Sequence, residues 1–313
     1  MGDGIVLIVI SGADIASTNQ ARELLKKCVW EPFLPVEGYN TWKLNSVRLW
    51  WRDGWILLED NLDLRWEKET GEIVNEVIFP SRHVASSGAP CLTIHPIGTF
   101  QYNSVNKPLF GGKPGDGPPP SLRMSSWMRE LKRKVISYGL NEEFSVSFET
   151  THHGPWLSSP SLFIEIGSTE EKWGHEIAAS ALADVMISGL NLDSNLEVPV
   201  INPKKVVFCL GGGHYAPQPM RLSDQGITIG HMLATYALNI QKDDTELNSI
   251  NEDWKLVILS AYHSTKRANP NSEVWAYIDK KSFKGWQRNK IRDLLLESGI
   301  PFGRTEDLID FET

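Results

Sequence analysis

The sequence predicts an α/β protein with a mixed, largely parallel central sheet flanked by helices. Two observations carry this. Apolar runs of strand length alternate along the chain with longer segments of helical periodicity, the pattern of β-α units. Two runs, Ile5–Ile10 (IVLIVI) and Val206–Leu210 (VVFCL), are apolar throughout, as strands are when both faces are covered.

Taken in order, Ile5–Ile10 is a buried strand. Ser17 starts a helix that reaches about Lys27, with Gln20 three residues on completing a capping box. Val77–Pro80 and Leu92–Ile94 are short strands. Ser125–Tyr138 is an amphipathic helix closed by Gly139. Phe144, Val146 and Phe148 alternate with polar residues, which gives a strand with one buried face. Leu162–Ile166 is a strand, after which Ser168 and Glu171 form a second capping box and open a helix lasting to about Gly189. Beyond Val206–Leu210, the segments Ile229–Leu238 and Trp254–Lys266 read as helices. Val274–Ile278 reads as a strand and Lys284–Ser298 as the last helix. Asn103–Ser121 contains KPLFGGKPGDGPPP, too rich in Gly and Pro for regular structure, and is either a long surface loop or an active-site flap. Leu190–Lys205 and Asp243–Asp253 are polar connectors. The expected organisation is an N-terminal α/β element over 1–72, a central catalytic unit over 73–240 and a C-terminal element over 241–313, or one compact unit.

Composition bounds the function. The chain has 313 residues, 22% of them charged and 41% hydrophobic, as in soluble globular proteins. No apolar run approaches the ~18 residues that span a bilayer, and Ile5–Ile10 lacks the basic leader of a secretory signal. Met1-Gly2 is followed by Val6, which does not fit a myristoylation site. Three cysteines without a CxxC spacing fit a reducing compartment and no disulfide or Cys-based zinc framework. The expected location is the cytosol, and the expected oligomeric state is a monomer. A net charge of −8 argues against a generic nucleic-acid coater. Two basic clusters, within 123–134 and 280–292, are either solvated helix faces or local phosphate contacts. Most of the 12 tryptophans are packing residues, and one or two suit stacking on a base.

The chemistry gathers at strand ends, where open α/β sheets hold ligands. Val77–Pro80 ends in Ser81-Arg82-His83, and Leu92–Ile94 in His95. Phe144–Phe148 ends in Glu149 and then His152-His153. Leu162–Ile166 carries Glu165 and ends in GSTEE, and Val206–Leu210 ends in Gly211-Gly212-Gly213-His214. These five strand ends together therefore carry five of the eight histidines and a carboxylate, Glu165. A single such histidine is usually structural, but five together suggest a hydrolytic site, because neutral imidazole serves near pH 7 as base or metal ligand. There is no GxSxG elbow, HExxH, Walker A loop or GxGxxG. GGGHYAP is either a tight strand-to-helix turn or a cradle whose N–H groups take an oxyanion or phosphate. Ser168 and Glu171 are accounted for by capping, which leaves Glu170 less explained.

These motifs together, SRHVASSGAPCLTIHPIG, GGKPG, ETTHHGP, FIEIGSTEEKW, GGGHYAP, IGHM and DKKSFKGWQ, resemble the D-aminoacyl-tRNA deacylases of the archaeal and plant type, from Ile5 to about Leu296. The resemblance implies a hydrolase of the ester between a D-amino acid and the terminal ribose of tRNA. It also implies activity on D-aminoacyl-tRNAs carrying aldehyde adducts, a zinc cofactor and a phosphorylase- or hydrolase-like sheet. It carries His83, His95, His152, His153, His214, His231, Glu165 and Glu170 into the site without assigning roles. The expected division is His83, His153, Glu165 and His214 in catalysis and His95, His152 and His231 at a metal. Arg82, Lys113, Glu170, Gly211, Gly212, Gly213, Lys281 and Lys284 are expected to bind substrate. D-aminoacyl-tRNA is the expected partner, with no DNA and no membrane. His153 is expected to face the reaction centre while His152 braces the turn or a neighbouring ligand. A zinc peptidase or amidohydrolase, or a non-catalytic tRNA-binding module, is the alternative.

Overall fold

The structure, a computed structural model, describes residues 4–101, 109–194, 196–242 and 253–309. The first eight strands are β1 (Ile5–Ser11), β2 (Glu31–Pro32), β3 (Thr41–Leu44), β4 (Val47–Arg52), β5 (Val74–Arg82), β6 (Cys91–His95), β7 (Ser145–Phe148) and β8 (Ser161–Gly167). They form one sheet in the order β2-β3-β4-β1-β5-β8-β6-β7. β4, β1, β5 and β8 are mutually parallel, and β6 and β7 run against β8. The other four strands, β9 (Lys205–Leu210), β10 (Thr228–Leu233), β11 (Glu273–Ile278) and β12 (Phe302–Gly303), form an all-parallel sheet in the order β10-β9-β11-β12. The mixed, largely parallel architecture expected from the sequence is present.

The helices are α1 (Ile15–Lys27), α2 (Leu62–Thr70), α3 (Met124–Ser137), α4 (Glu170–Trp173), α5 (Glu176–Gly189), α6 (Pro217–Asp224), α7 (Thr235–Leu238), α8 (Asp253–Ala268), α9 (Gly285–Glu297) and α10 (Thr305–Leu308). α1, α3 and α5 cover one face of the large sheet in a core that runs on into Val207, Cys209 and Ile229 of the small sheet. Phe79, Phe163, Trp50 and Trp66 pack on the opposite face with Leu62 of α2. α8 and α9 bury their apolar sides against the small sheet. Among the described residues no helix is long and apolar enough to cross a membrane.

Several local expectations change. α1 is capped by Asp14, whose Oδ1 accepts from the N–H groups of Ala16 and Ser17. Gln20 instead donates inward to carbonyls of Ser81 and Ile164. The helix expected from Ser168 to Gly189 is broken at Gly174-His175, and the His175 Nδ1 caps α5 by accepting from the Ala178 N–H. Ser168 donates to the Ala89 carbonyl and caps nothing. Ile229–Leu238 is mostly strand: β10 occupies Thr228–Leu233 and only Thr235–Leu238 is helical. Tertiary pairing with β9 overrides the apolar run, which suits either element. The expected boundary at 72 separates β1 from its neighbour β5, and the one at 240 separates β9 from β11. The strands themselves divide between β8 and β9. The connector at 243–253 lies, apart from Asp253, outside the described residues.

Candidate active site

The site lies on one face of the large sheet, where the small sheet abuts it. Parallel pairing sets Ser81 of β5 opposite Glu165 of β8, and antiparallel pairing sets Thr93 and His95 of β6 opposite Glu165 and Phe163. Residues two apart on a strand share a face, so Glu165, Phe163, Thr93 and His95 meet there. The His95 ring stacks on Phe163 with centroids 5.2 Å apart. His83 follows β5, its N–H bonded to the Ile166 carbonyl. Beyond β7 the chain is stitched to the small sheet: Glu149 bridges Tyr215, and the Thr150 and Thr151 N–H groups donate to the carbonyls of His214 and Met232. This stitching carries Glu149 and His214 into contact.

Glu149 is the centre of the cluster. Its carboxylate is fully buried, with Oε2 2.7 Å from His214 Nε2 and Oε1 3.0 Å from His83 Nδ1. His152 Nε2 is 3.6 Å from Oε2. Glu165 lies 3.7 Å from His83 and 3.6 Å from His95. His83 Nε2 is 3.0 Å from the Tyr215 hydroxyl. Sequence alone places Glu149 at a strand end without giving it a role. The available signal was its position just after an alternating strand and three residues before a histidine pair.

The two carboxyls are pushed apart electrostatically. Burial pushes Glu149 up, but the contacts from His214 and His83 outweigh it and hold the acid well below the ordinary carboxylate range. Burial and the nearby Glu149 charge push Glu165 well above that range. One is therefore anionic and the other protonated, the arrangement that assigns acid and base roles. The Glu149 contact raises His214, and at His83 contacts with Glu149 outweigh the opposing effect of burial.

The imidazoles of His95, His152 and His153 behave differently. Their Nδ1 atoms lie 3.1, 2.7 and 2.7 Å from the carbonyls of Pro96, Thr150 and Gly154. A carbonyl only accepts, so each Nδ1 carries the proton and each Nε2 keeps its lone pair. Burial holds all three rings neutral, with His95 lowered to about 4, His153 to about 3 and His152 well below its ordinary value. The three rings pack within 4.2–4.9 Å of one another, centroid to centroid. Backbone-anchored, neutral imidazoles grouped in this way are the usual donor set for zinc. Nitrogens of tetrahedral zinc at 2.0–2.1 Å stand roughly 3.3 Å apart, and one ring nitrogen from each of these residues lies within 4.8 Å of the others. The buried His95 Nε2 has no hydrogen-bond partner among the described residues. The residues fit a metal. Ligating atoms of His83, Glu149 and His214 form a second group of the same spread.

The histidine pair does not split between faces. His152 and His153 both line one cavity of about 520 Å³, together with His83, Glu165 and His214. β7 stops at Phe148, and His153 has φ +43°, so strand alternation is lost before the pair. His231 is corrected as a metal ligand. Its Nδ1 is 3.1 Å from the Thr151 hydroxyl, and its Nε2 3.1 Å from both the Pro118 carbonyl and the Ser264 hydroxyl, which occupies both nitrogens.

The expected substrate contacts divide. Arg82 lines the cavity, its guanidinium held between the rings of Trp55 and Trp173 at 4.2 and 4.4 Å. Lys113 sits 3.7 Å over the Trp156 ring. Glu170 is exposed at the start of α4 and does not line the cavity. The glycine cradle is largely filled: the Gly211 N–H donates to Leu233 and the Gly212 N–H to the Ser282 hydroxyl, so of the three only Gly213 keeps an N–H without a partner among the described residues. Lys281 and Lys284 are exposed on the loop that holds Ser282, and among the described residues neither has a carboxylate partner. The 123–134 cluster is mostly neutralised. Arg123 is buried against Glu76, Lys132 pairs with Asp224, and Arg133 and Lys134 pair with Glu130.

The family model described as D-aminoacyl-tRNA deacylase matches residues 70–303. A curated D-aminoacyl-tRNA deacylase of Arabidopsis thaliana is 41% identical over 97% of this chain and 99% of its own length. One of Pyrococcus abyssi is 29% identical over 95% of this chain and 98% of its own. Among solved structures, a conserved protein of unknown function matches at a TM-score of 0.76 and 24% identity over 98% of both chains, which bears on the fold alone. With a family model spanning most of its length and a 41%-identical relative aligned end to end, this chain belongs to the D-aminoacyl-tRNA deacylase family.

Proposed function

We propose that this protein hydrolyses the ester between a D-amino acid and the terminal ribose of tRNA, at a zinc site formed by His95, His152 and His153. The observation that carries the reading is the convergence of three neutral, carbonyl-anchored imidazoles beside an ionised, fully buried Glu149. A bound zinc would supply Lewis acidity to water or to the ester carbonyl. The chain's own residues supply the rest. The Glu149 carboxylate, between His83 and His214, holds both rings in place and favours their protonated forms. His214, its side chain 38% exposed to the cavity, is placed to hand a proton to the departing ribose oxygen. His83, engaged by Glu149 on Nδ1 and by Tyr215 on Nε2, positions the carboxylate, and His214 is also the group that takes the proton from the attacking water before passing it on. Water adds to the carbonyl, the ester C–O bond breaks, and the proton removed from water is replaced on the ribose hydroxyl. An ester leaves readily enough that no protein nucleophile is needed.

Arg82, fixed between two indoles, is the nearest cation for a phosphate of the acceptor end. The exposed Lys281 and Lys284 extend that surface, since their loop is tied through Ser282 to the glycine turn that bears His214. A cavity of about 520 Å³ also has room for an aldehyde adduct on the amino group. The free cysteines, Cys91 and Cys209 buried and Cys28 partly so, support action in a reducing compartment, the cytoplasm. The test is deacylation of matched D- and L-aminoacyl-tRNA with and without a chelator. Equal rates on both enantiomers, or full D-activity after metal removal, would sink the reading.

A further inference from the structure

The cavity has a second chemistry at its mouth. Among the described residues, the aromatic side chains that count as exposed are Trp55, Phe110 and Tyr236, at 48%, 58% and 54%. All three line this one cavity. They come from distant parts of the chain: the turn after β4, the segment before Lys113, and α7. Soluble proteins seldom leave large aromatics open together without a ligand for them. Gln101 lines the same wall, is half-buried, and has no side-chain hydrogen-bond partner among the described residues. A primary amide offers one donor edge and one acceptor beside it. On its Hoogsteen edge adenine presents the matching pair, an exocyclic amine next to a ring nitrogen, where guanine presents two acceptors; cytosine offers the same pair but only a single ring to stack.

We propose that the mouth of this cavity is a nucleobase site for the terminal adenine of tRNA, with Trp55, Phe110 and Tyr236 giving stacking surface and Gln101 reading the base edge. The proposal rests on the deacylase reading, because the cluster at the floor fixes where the ester carbonyl lies. The ester is borne by the ribose of that same nucleoside, so its base must lie a few ångströms further out. Stacking on an aromatic is sequence-tolerant, so the polar partner is the part that selects adenine over guanine, and the larger ring area is the part that favours it over cytosine.

The test is competition of D-aminoacyl-tRNA deacylation by free adenosine, guanosine and cytidine, with calorimetric titration of each nucleoside into the same protein. Adenosine is expected to compete at about a tenth of the concentration needed for the other two. Tyr236→Ala should raise KM for the tRNA and the adenosine inhibition constant about tenfold with little change in kcat. Gln101→Leu should erase the preference for adenosine over guanosine while leaving residual nucleoside binding. The proposal is overturned if the wild type deacylates D-aminoacyl-tRNA yet no nucleoside competes or binds. It is equally overturned if Tyr236→Ala changes the preference among amino acids and leaves nucleoside inhibition alone. A wild type that binds adenosine but does not deacylate would retain the base site and refute the deacylase reading instead.

Discussion

Replacing Glu149 by Gln removes one negative charge and almost no volume, so it isolates the electrostatic role of this residue. The carboxylate touches His214 at 2.7 Å and His83 at 3.0 Å with no solvent exposure. Removing one partner from a buried ion pair costs about 3–5 kcal/mol. At about 1.4 kcal/mol per factor of ten, full expression in the transition state lowers kcat/KM by roughly a hundredfold to several-thousandfold. The assay is deacylation of a D-aminoacyl-tRNA, with circular dichroism and tRNA filter binding as controls for fold and affinity. Glu165→Gln should cost far less, because Glu165 is held protonated and the amide replaces a neutral acid. A Glu149→Gln enzyme within threefold of wild type, or a Glu165→Gln enzyme that is the more damaged, would refute the assignment of the ionised role to Glu149.

Other consequences follow from the same geometry. His95→Ala should lose stoichiometric zinc by elemental analysis, and His231→Gln should keep it, since both His231 nitrogens are already engaged. Burial depresses His231 from 6.5 to about 3. The unfolded chain therefore binds the extra proton between these values, and the His231 contribution to stability is complete above pH 6.5 and declines as pH falls toward 3. Between pH 7 and pH 5 the His231 share of the loss is about 2 kcal/mol, so the drop in urea-unfolding stability between the two pH values should be smaller by that amount in His231→Gln than in wild type. Glu76→Gln leaves the buried Arg123 guanidinium without its carboxylate and should destabilise by about 3–5 kcal/mol in urea unfolding. Reversing Lys281 and Lys284 to Glu should weaken tRNA binding and flatten its salt dependence by about one unit of slope for each phosphate no longer neutralised, while a double variant indistinguishable from wild type would remove that loop from the interface.

The fold was legible where periodicity and burial agree. Ile5–Ile10 and Val206–Leu210 are apolar on both faces because helices cover both sides of their sheets, and each lies inside an observed strand. Legibility failed where an apolar run suits two elements. The segment at Thr228–Leu233 is a strand because β9 pairs with it, and no local residue announces that partner. Caps misled for a related reason. Ser17 and Gln20 have capping-box spacing, but Asp14 stands three residues earlier and takes the N–H groups, which frees Gln20 to reach across to β5 and β8.

The site shows a sharper limit. Each of its histidines could be found from strand ends, because a strand end is a local property. The partnership between Glu149 and His214 could not, because it arises from an isolated bridge, Glu149 to Tyr215, between segments that follow strands of two different sheets. The reversal of β6 against β8 is equally invisible in sequence, yet it sets His95 over Phe163 instead of at a common sheet edge. The histidine pair makes the same point. In an extended strand His152 and His153 would face opposite ways, but the strand ends at Phe148 and His153 turns into a left-handed conformation, so both imidazoles enter one cavity. A doublet placed just beyond a strand escapes alternation, and a chain can then supply two adjacent ligands to one centre. The Nδ1 contacts to the Thr150 and Gly154 carbonyls are what fix the two rings once the strand no longer does.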